Sequence, residues 1–225
     1  MVMLKMSEAD HARVSSAIAA AEAKSDGEII AIAADQSDSY HDVGLHYAIL
    51  VLFLVLAFFA AWPSQLEYWW TRIMGWTAEP SQRELLTLLF GLALFKFLVV
   101  LFLMKWMPLR LLLTPGSTKT RRVRRRAVML FKTGGERRTI GRTGILIYLS
   151  MGEHRAEIIG DEAITAVTTP ETWGEAMAAL ITDVKAGRPG DGIVAAVERI
   201  GDVLAQHFPK TSTDTNEIPD KLIQL

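Results

Sequence analysis

Two long apolar segments, separated by a short loop, stand out along a chain that otherwise alternates between apolar and polar positions. Residues 48–62 are all apolar, and His46 is the strongly polar residue just before them. The second segment has 23 residues with few polar interruptions, Lys96 among them. An α-helix of about 20 residues spans about 30 Å, the thickness of a bilayer core. The pattern predicts a transmembrane hairpin rather than a pair of buried helices, with spans at about 45–62 and 85–107 and a connecting loop at 63–84.

Charge is unevenly distributed along the chain, although the formal net charge is only −1. Residues 105–142 hold 12 of the 24 Lys and Arg residues and a single acidic residue, Glu136. Basic residues beside a span favour the cytoplasmic side, so both termini are predicted to be cytoplasmic, with the loop on the opposite side. The N-terminus has no basic region or cleavage-type site of a signal peptide. We therefore expect a two-span protein of the inner (plasma) membrane.

Shorter patterns outside the apolar segments predict helices and strands. Apolar residues recur at helical spacing after Ser7, which predicts a capped helix ending near residue 24. The β-branched run 28–33 is typical of a short buried strand. The remaining predicted elements are a hairpin of strands at 144–150 and 155–159, helices at about 170–185 and 190–208, and a polar, flexible tail at 210–225.

Neither flanking part is large enough to bury a core alone, because the first offers one helix and one strand in about 40 residues. Together they supply helices and strands for a layered α/β domain. We therefore predict one domain, formed by residues 1–44 and 108–209 and interrupted by the hairpin at 45–107. The predicted topology agrees with this, since it places both parts on the same side of the membrane.

The basic segment that follows the second span has helical periodicity. Val123, Ala127, Leu130 and Phe131 fall on one face, which predicts a helix over 118–132 whose apolar stripe packs on the sheet. Its cations suit anionic lipid headgroups, at about 1 kcal/mol for each surface charge. Nucleic acid is not an expected partner, because no aromatic residue lies among the arginines and a membrane span is close by. The lipid-binding candidates are Lys119, Arg121, Arg122, Arg124, Arg125 and Arg126.

Lys96 places a charge inside the second predicted span, which costs a few kcal/mol on insertion scales. In one interpretation the long side chain snorkels towards the interface, or the span shifts in depth. In the other, Lys96 contacts another helix or subunit, which implies a membrane-protein partner. The sequence leaves both interpretations open.

Missing residue types and motifs limit the chemistry that this chain can perform. It has no cysteine, which excludes disulfides, thiolate zinc sites, iron–sulfur clusters and cysteine nucleophiles. It also lacks a P-loop, a Gly-x-Ser-x-Gly elbow, a His-Glu-x-x-His motif and a dinucleotide fingerprint. No catalytic residue is identified from the sequence.

Acidic residues that follow the strands and begin the last helix are candidate metal ligands. Carboxylates and hydroxyls at short spacing suit a hard cation such as Ca²⁺ or Mg²⁺. If the strand ends meet, these carboxylates converge. The alternative is that they cap helices or lie in solvated loops. The candidates are Asp35, Asp38, Asp42, Asp161 and Asp191.

Several segments resemble the TPM domain family. They are Gly27–Ile32 as its first strand, Thr143–Ser150 and His154–Asp161 as its strand pair, and Gly190–Ile193 at the start of its last helix. The likeness extends over about residues 7–44 and 118–208, and the inserted hairpin departs from the many relatives with one terminal anchor. The resemblance implies an α/β/α sandwich around a small mixed sheet. It also implies divalent-metal binding and acid phosphatase activity for some members.

Two functional hypotheses from different classes fit these observations. The first is a membrane-anchored TPM-domain protein that acts as a non-enzymatic accessory or binding module for a membrane complex. The second is a divalent-metal-dependent acid phosphatase held at the membrane. Turnover of a phosphomonoester that depends on Mg²⁺ or Ca²⁺ would separate the second hypothesis from the first.

Overall fold

The computed structural model describes residues 6–75, 79–134, 142–212 and 218–225. It divides into two compact units, the first of which contains Met1–Asp38 and Pro115–Leu225. The second unit contains Ser39–Thr114, so it is inserted into the sequence of the first. The two units are described separately below.

The first unit begins with helix α1 (Glu8–Glu22), whose start is fixed by a reciprocal cap. The Asp10 amide donates to Ser7 Oγ at 3.1 Å, and the Ser7 amide donates to Asp10 Oδ2 at 2.9 Å. Such a capping box satisfies two amides that the helix itself leaves without acceptors. The buried face of α1 includes Val14 and Ile18, as the apolar spacing predicted, and the predicted role of Ser7 is confirmed.

A mixed sheet forms the centre of the first unit. Its strands, in the order β3-β2-β1-β4, are β1 (Glu28–Ala34), β2 (Gly144–Ser150), β3 (Arg155–Gly160) and β4 (Ile223–Gln224). β1 and β2 are parallel, with Glu28 opposite Gly144, whereas β2 and β3 form the predicted antiparallel hairpin. The two sequence segments of this unit therefore contribute adjacent strands to one sheet. The predicted α/β class with a mixed sheet is confirmed.

Helices cover both faces of this sheet, because successive strand residues point to opposite faces. Ile29 and Ile147 lie in the core shared with α1, α8 and α9, whereas Ile30 and Leu146 lie in the core shared with α6. The helices after the second unit are α6 (Gly116–Gly134), α7 (Glu162–Val167), a 3-10 turn (Pro170–Trp173), α8 (Gly174–Lys185) and α9 (Pro189–His207).

Helix α6 carries the apolar stripe that the sequence predicted for the basic segment. Val123, Ala127 and Phe131 are buried against the sheet, and Leu130 packs at the margin of the same core. The helix extends slightly beyond the predicted 118–132 at both ends. Its periodicity is therefore explained by packing in the first unit.

The prediction of a flexible tail from residue 210 is wrong for the last residues of the chain. Ile218 and Leu222 are buried, and β4 pairs in parallel with β1. The Leu225 amide donates to Ala33 O at 3.0 Å, and the Asp35 amide donates to Leu225 O at 3.0 Å. The physical reason is that β1 would otherwise be an edge strand with unpaired backbone groups.

The second unit consists of helices. They are α2 (His41–Ala61), α3 (Ser64–Met74), α4 (Gln82–Leu103) and α5 (Met107–Leu113). Helices α2 and α4 are long and apolar enough to cross a membrane, and few of their residues are buried in the structure. α2 and α4 pack along each other, and α3, in the segment predicted as a loop, contacts both.

The ends of the two long helices differ from the predicted spans. α2 begins four residues before the predicted 45, and α4 ends at Leu103 rather than at residue 107. Pro108 explains the earlier end, because a proline inside a helix clashes with the carbonyl four residues earlier, here Met104. Pro108 instead lies in the first turn of α5, where proline is tolerated.

Arg110 in α5 connects the ends of α2 and α4 within the second unit. Its buried guanidinium donates to the carbonyl oxygens of Met104 and Ser39, the latter at 2.8 Å. The Nη1 atom of Arg110 also lies 3.2 Å from His41 Nδ1. Arg110 therefore satisfies a carbonyl group where α4 ends and another just before α2 begins.

Candidate functional site

The carboxyl ends of the parallel strands β1 and β2 lie at one edge of the sheet and bring polar side chains together. In open α/β sheets this edge is the usual place for ligand sites. The Gly152 amide donates to Asp35 O at 2.8 Å, so the turn after β2 is attached to the loop after β1. We call the cluster formed here by Ser37, Tyr148, Ser150 and Glu153 the strand-end network.

Glu153 is the central member of the strand-end network, and only 6% of it is exposed. It accepts a hydrogen bond from the Ser37 amide at 2.9 Å and another from the Ser150 hydroxyl. A buried carboxylate needs such donors, because an uncompensated buried charge is very costly. Sequence reasoning missed Glu153. The available signal was an acidic residue in a tight turn after a mostly apolar strand.

Tyr148 connects the strand-end network to the core beneath α6. Its hydroxyl oxygen lies 3.0 Å from Ser37 Oγ. Burial raises the pKa of Tyr148 above the ordinary value of 10.0, so the phenol is neutral at physiological pH. The network can hold and orient hydrogen bonds at this edge of the sheet.

Asp38, a predicted metal ligand, is instead paired with two arginines predicted to bind lipid. Its Oδ2 lies 3.0 Å from Arg122 Nη1 and 3.5 Å from Arg125 Nη2. The Arg122 side chain is mostly buried, whereas 77% of the Arg125 side chain is exposed. Arg122 therefore attaches α6 to the loop after β1, which gives it a structural role within the domain.

The other cations of α6 are more available to a partner. The Nη1 atom of Arg124 lies 3.7 Å from Oε2 of Glu157 on β3, yet 73% of the Arg124 side chain is exposed. Among the described residues, no salt bridge is formed by Lys119, Arg121 or Arg126. The positive charge of Arg126 partly offsets the rise that burial causes in the pKa of Tyr148. The predicted lipid-binding set thus divides into inward-facing and outward-facing members.

Asp35 and Asp161 lie at opposite ends of the sheet. Asp35 follows the carboxyl end of β1, whereas the Asp161 amide donates to Gly144 O at the beginning of β2. Along the strand direction, seven residues separate the position of Asp35 from that of Asp161, a distance of about 20 Å. The expected convergence therefore fails for this pair, because β1 and β2 are parallel and β3 returns in the opposite direction.

The remaining metal-ligand candidates have local partners. Asp161 caps α7 by accepting a hydrogen bond from the Glu162 amide at 2.7 Å. Asp191 forms salt bridges with Arg13 and Arg188, and Asp42 lies in the first turn of α2. Within the described residues, no three Asp, Glu or His side chains lie close enough together to hold a metal ion. These positions match the alternative interpretation of caps and paired surface charges.

A second buried carboxyl, Glu22, lies at the opposite edge of the sheet and was also missed. It is 6% exposed and accepts a hydrogen bond from the Ile29 amide at 2.7 Å. Burial raises its pKa to about 9, and the nearby negative charges of Glu28 and Asp220 act in the same direction. Glu22 is therefore protonated at neutral pH.

Lys96, the predicted intramembrane charge, lies at an exposed position of α4. It forms no hydrogen bond or salt bridge with any residue in the described ranges. Lys105, by contrast, lies outside α4, with its Nζ atom 5.8 Å from the centre of the Phe102 ring. The two lysines of this segment thus have different surroundings.

Comparisons with known proteins agree with this architecture. The family model described as the TPM domain matches residues 110–203. The NMR structure of the BA42 protein from the psychrophilic bacterium Bizionia argentinensis superposes with a TM-score of 0.56 at 17% sequence identity. That superposition covers 98% of this chain and 95% of BA42. At this identity the likeness shows the fold alone.

A search of curated protein sequences found no match. The family match covers the segment from α5 to α9, in which the sequence resemblance had its strand pair and its last helix. The residues that carried the resemblance form β1, β2, β3 and the start of α9 in the structure. The predicted resemblance is thus confirmed, and the chain contains a TPM domain.

Proposed function

We propose that this protein is a membrane-anchored TPM-domain protein that acts as a non-enzymatic accessory or binding module for a membrane complex. The observation that carries the proposal is the exposure of large apolar side chains on two helices of spanning length. Phe90 is 69% exposed, and Phe53, Phe95 and Phe102 are also largely exposed. Contiguous exposed apolar surface of this kind marks an interface with lipid or protein.

The proposed orientation places both termini in the cytoplasm and the segment between α2 and α4 on the other side of the inner membrane. The arginine-rich α6 follows α4 closely in sequence, and basic residues beside a span favour the cytoplasm. A topology reporter that is active only outside the cytoplasm tests this proposal. Fused after Leu225, it should be inactive, whereas insertion after Gly75 should activate it. The reverse pattern would contradict the orientation.

The outward cations of α6 are proposed to contact anionic headgroups. Lys119 and Arg121 form no salt bridge among the described residues, and Arg124 and Arg125 expose most of their side chains. Each such cation near an anionic surface contributes about 1 kcal/mol, and salt screens it over about 10 Å at 0.1 M. Arg122 is not expected to contribute, because it is held by Asp38.

A label on α6 tests the headgroup contact in the full-length protein. The chain has no cysteine, so Ser117→Cys offers a unique attachment site on an exposed position of α6. In nanodiscs that carry a quencher on the headgroups, anionic lipid should quench the label more than neutral lipid does. Replacing Arg121, Arg124 and Arg125 with glutamine, or adding salt, should reduce the difference. Arg199→Gln on α9 is the control.

The phosphatase hypothesis is the second candidate, and one observation favours it. Asp35 is exposed at the carboxyl end of β1, the sheet edge where α/β enzymes place their sites. The test is turnover of a generic phosphomonoester by the detergent-solubilised protein with and without Mg²⁺ or Ca²⁺. Metal-dependent turnover that Asp35→Asn abolishes would replace the non-enzymatic proposal. Co-purification of the intact membrane protein would identify its partner.

A further inference from the structure

The second unit contains an open apolar cavity of about 530 Å³ between α2, α3 and α4. Ligand sites for small molecules commonly have volumes of about 300–1,000 Å³ and mostly apolar walls with a few polar groups. Trp69 of α3 contributes one wall, and Lys96 of α4 is the charged lining residue. The other walls include Val51, Val55, Phe58, Phe59, Leu92 and Phe95.

Lys96 gives this cavity a chemical preference. It lies seven residues before Leu103, about 10 Å from the end of α4. Side chains on a helix lean towards its N-terminus, so Lys96 leans away from that nearer end. In a membrane, an uncompensated lysine at such depth costs about 3 kcal/mol on insertion scales. No described residue supplies the compensating negative charge.

We propose that this cavity binds a single-chain amphipathic anion, with its carboxylate or phosphate at the Lys96 ammonium and its hydrocarbon chain against the apolar walls. The inference rests on the proposed membrane setting of α2 and α4. Lys96 lies nearer the C-terminal end of α4. Trp69 belongs to α3, which follows the C-terminal end of α2 and precedes the N-terminal end of α4 in sequence. The hydrocarbon chain of the ligand therefore extends from Lys96 towards Trp69.

A single hydrocarbon chain suits the cavity better than a partner helix does. The space is bounded by three helices of the same chain, whereas a helix is about 10 Å wide and needs a long groove. An apolar chain alone would leave Lys96 uncompensated, so an anionic group is part of the proposal. A fatty acid and a lysophospholipid with a phosphomonoester headgroup share this chemistry.

Quenching of tryptophan fluorescence by brominated chains measures binding in the full-length protein in micelles. The probes are dibromostearate, its uncharged methyl ester, and a lysophosphatidic acid with the same brominated chain. Both anions should bind about tenfold more tightly than the ester, because a charge-assisted hydrogen bond contributes about 1.5 kcal/mol. The tighter anion identifies the headgroup. Trp69→Phe should remove the saturable part of the quenching.

Variants assign the preference to one lysine. Lys96→Gln should lower affinity for the anions about tenfold and leave the ester unchanged, whereas Lys96→Arg should retain the preference. Lys105→Gln is the matched control, since Lys105 lies outside the cavity lining. Equal affinities for acid and ester in the unmodified protein would overturn the inference, even if Lys96→Gln fails to fold. Equal effects of the two glutamine variants would also overturn it.

Alkaline carbonate extraction of cell membranes separates this inference from the function on which it rests. If the protein is retained in the membrane fraction and quenching does not depend on the charge of the probe, the cavity proposal alone would be overturned. Release of the chain into the supernatant would overturn the membrane anchoring and, with it, the lipid as the physiological ligand.

Discussion

The Nη1 atom of Arg110 donates a hydrogen bond to the carbonyl oxygen of Ser39 at 2.8 Å. The same guanidinium donates to the carbonyl oxygen of Met104, the residue that caps the C-terminal end of α4. A cation at this position is favoured by the helix dipole as well as by the hydrogen bond. One side chain therefore connects the beginning of α2 to the end of α4.

Replacing this arginine should loosen the second unit. Arg110→Met leaves the Met104 carbonyl group without its side-chain donor, and we expect a loss of about 2 kcal/mol of stability. Thermal unfolding of the detergent-solubilised chain measures the effect as a lower midpoint. Arg83→Met, at an exposed position in the first turn of α4, is the control and should leave the midpoint nearly unchanged. Identical midpoints for both variants would contradict the connecting role.

The contact between α1 and α9 should tolerate no side chain at Gly201. A Cβ atom added there would lie 2.7 Å from the Cβ of Ala21, closer than packed atoms approach. We expect Gly201→Ala to destabilise the protein by about 1–3 kcal/mol, even though alanine favours helix more than glycine does. Gly174→Ala is the control, because a Cβ at that residue meets nothing within 4 Å. In chemical denaturation, Gly174→Ala should be as stable as the original protein or slightly more stable.

Glu22 should make stability fall as the pH rises. Its pKa is raised from 4.5 to about 9, so the folded state holds a proton that the unfolded state releases between these values. Stability therefore decreases from about pH 5 to pH 9, with a slope of at most about 1.4 kcal/mol per pH unit for one proton. Denaturation at a series of pH values measures this slope.

The variant Glu22→Gln should remove this dependence on pH. Glutamine still offers an oxygen to the Ile29 amide, but it cannot titrate. The exposed Glu198 of α9 provides the control, since Glu198→Gln should preserve the slope of the original protein. A slope that survives in Glu22→Gln would assign the pH dependence to other groups.

Glu153 should hold the loop after β1 in place. Glu153→Ala removes the acceptor for the Ser37 amide and for the Ser150 hydroxyl, which we expect to cost about 2 kcal/mol. Hydrogen exchange at the Ser37 amide should become faster, while exchange in the middle of β1 changes only with global stability. Glu198→Ala should leave both rates as they are, and unchanged exchange at Ser37 in Glu153→Ala would refute the role.

Periodicity in the sequence predicted much of the fold, because burial of one helix face or one strand is a local property. The stripe that includes Val123 and Phe131 predicted both α6 and the face that it buries. β4 was not predictable in this way, since a strand of two residues has no period. Its place depends on the free edge of β1, almost two hundred residues earlier in the sequence.

The candidate site was predicted less well, because it depends on which strand ends share an edge. The positions of Asp35 and Asp161 follow from the parallel pairing of β1 with β2, a direction that the apolar pattern does not encode. Glu22 and Glu153 look like ordinary surface acids in the sequence. Their burial results from contacts with Ile29, Asp220 and Ser37, which only the folded chain brings together.

The parallel pairing of β1 with β2 also has a consequence for biosynthesis. Glu28 pairs with Gly144, and all of the second unit is translated between them. The central strand pair therefore cannot form until β2 has left the ribosome, by which time α2 and α4 have already emerged. Until then the apolar strand β1 has no partner and is vulnerable to aggregation, as long-range pairings generally are. The time needed to translate the second unit and β2 thus limits how soon this domain can begin to fold.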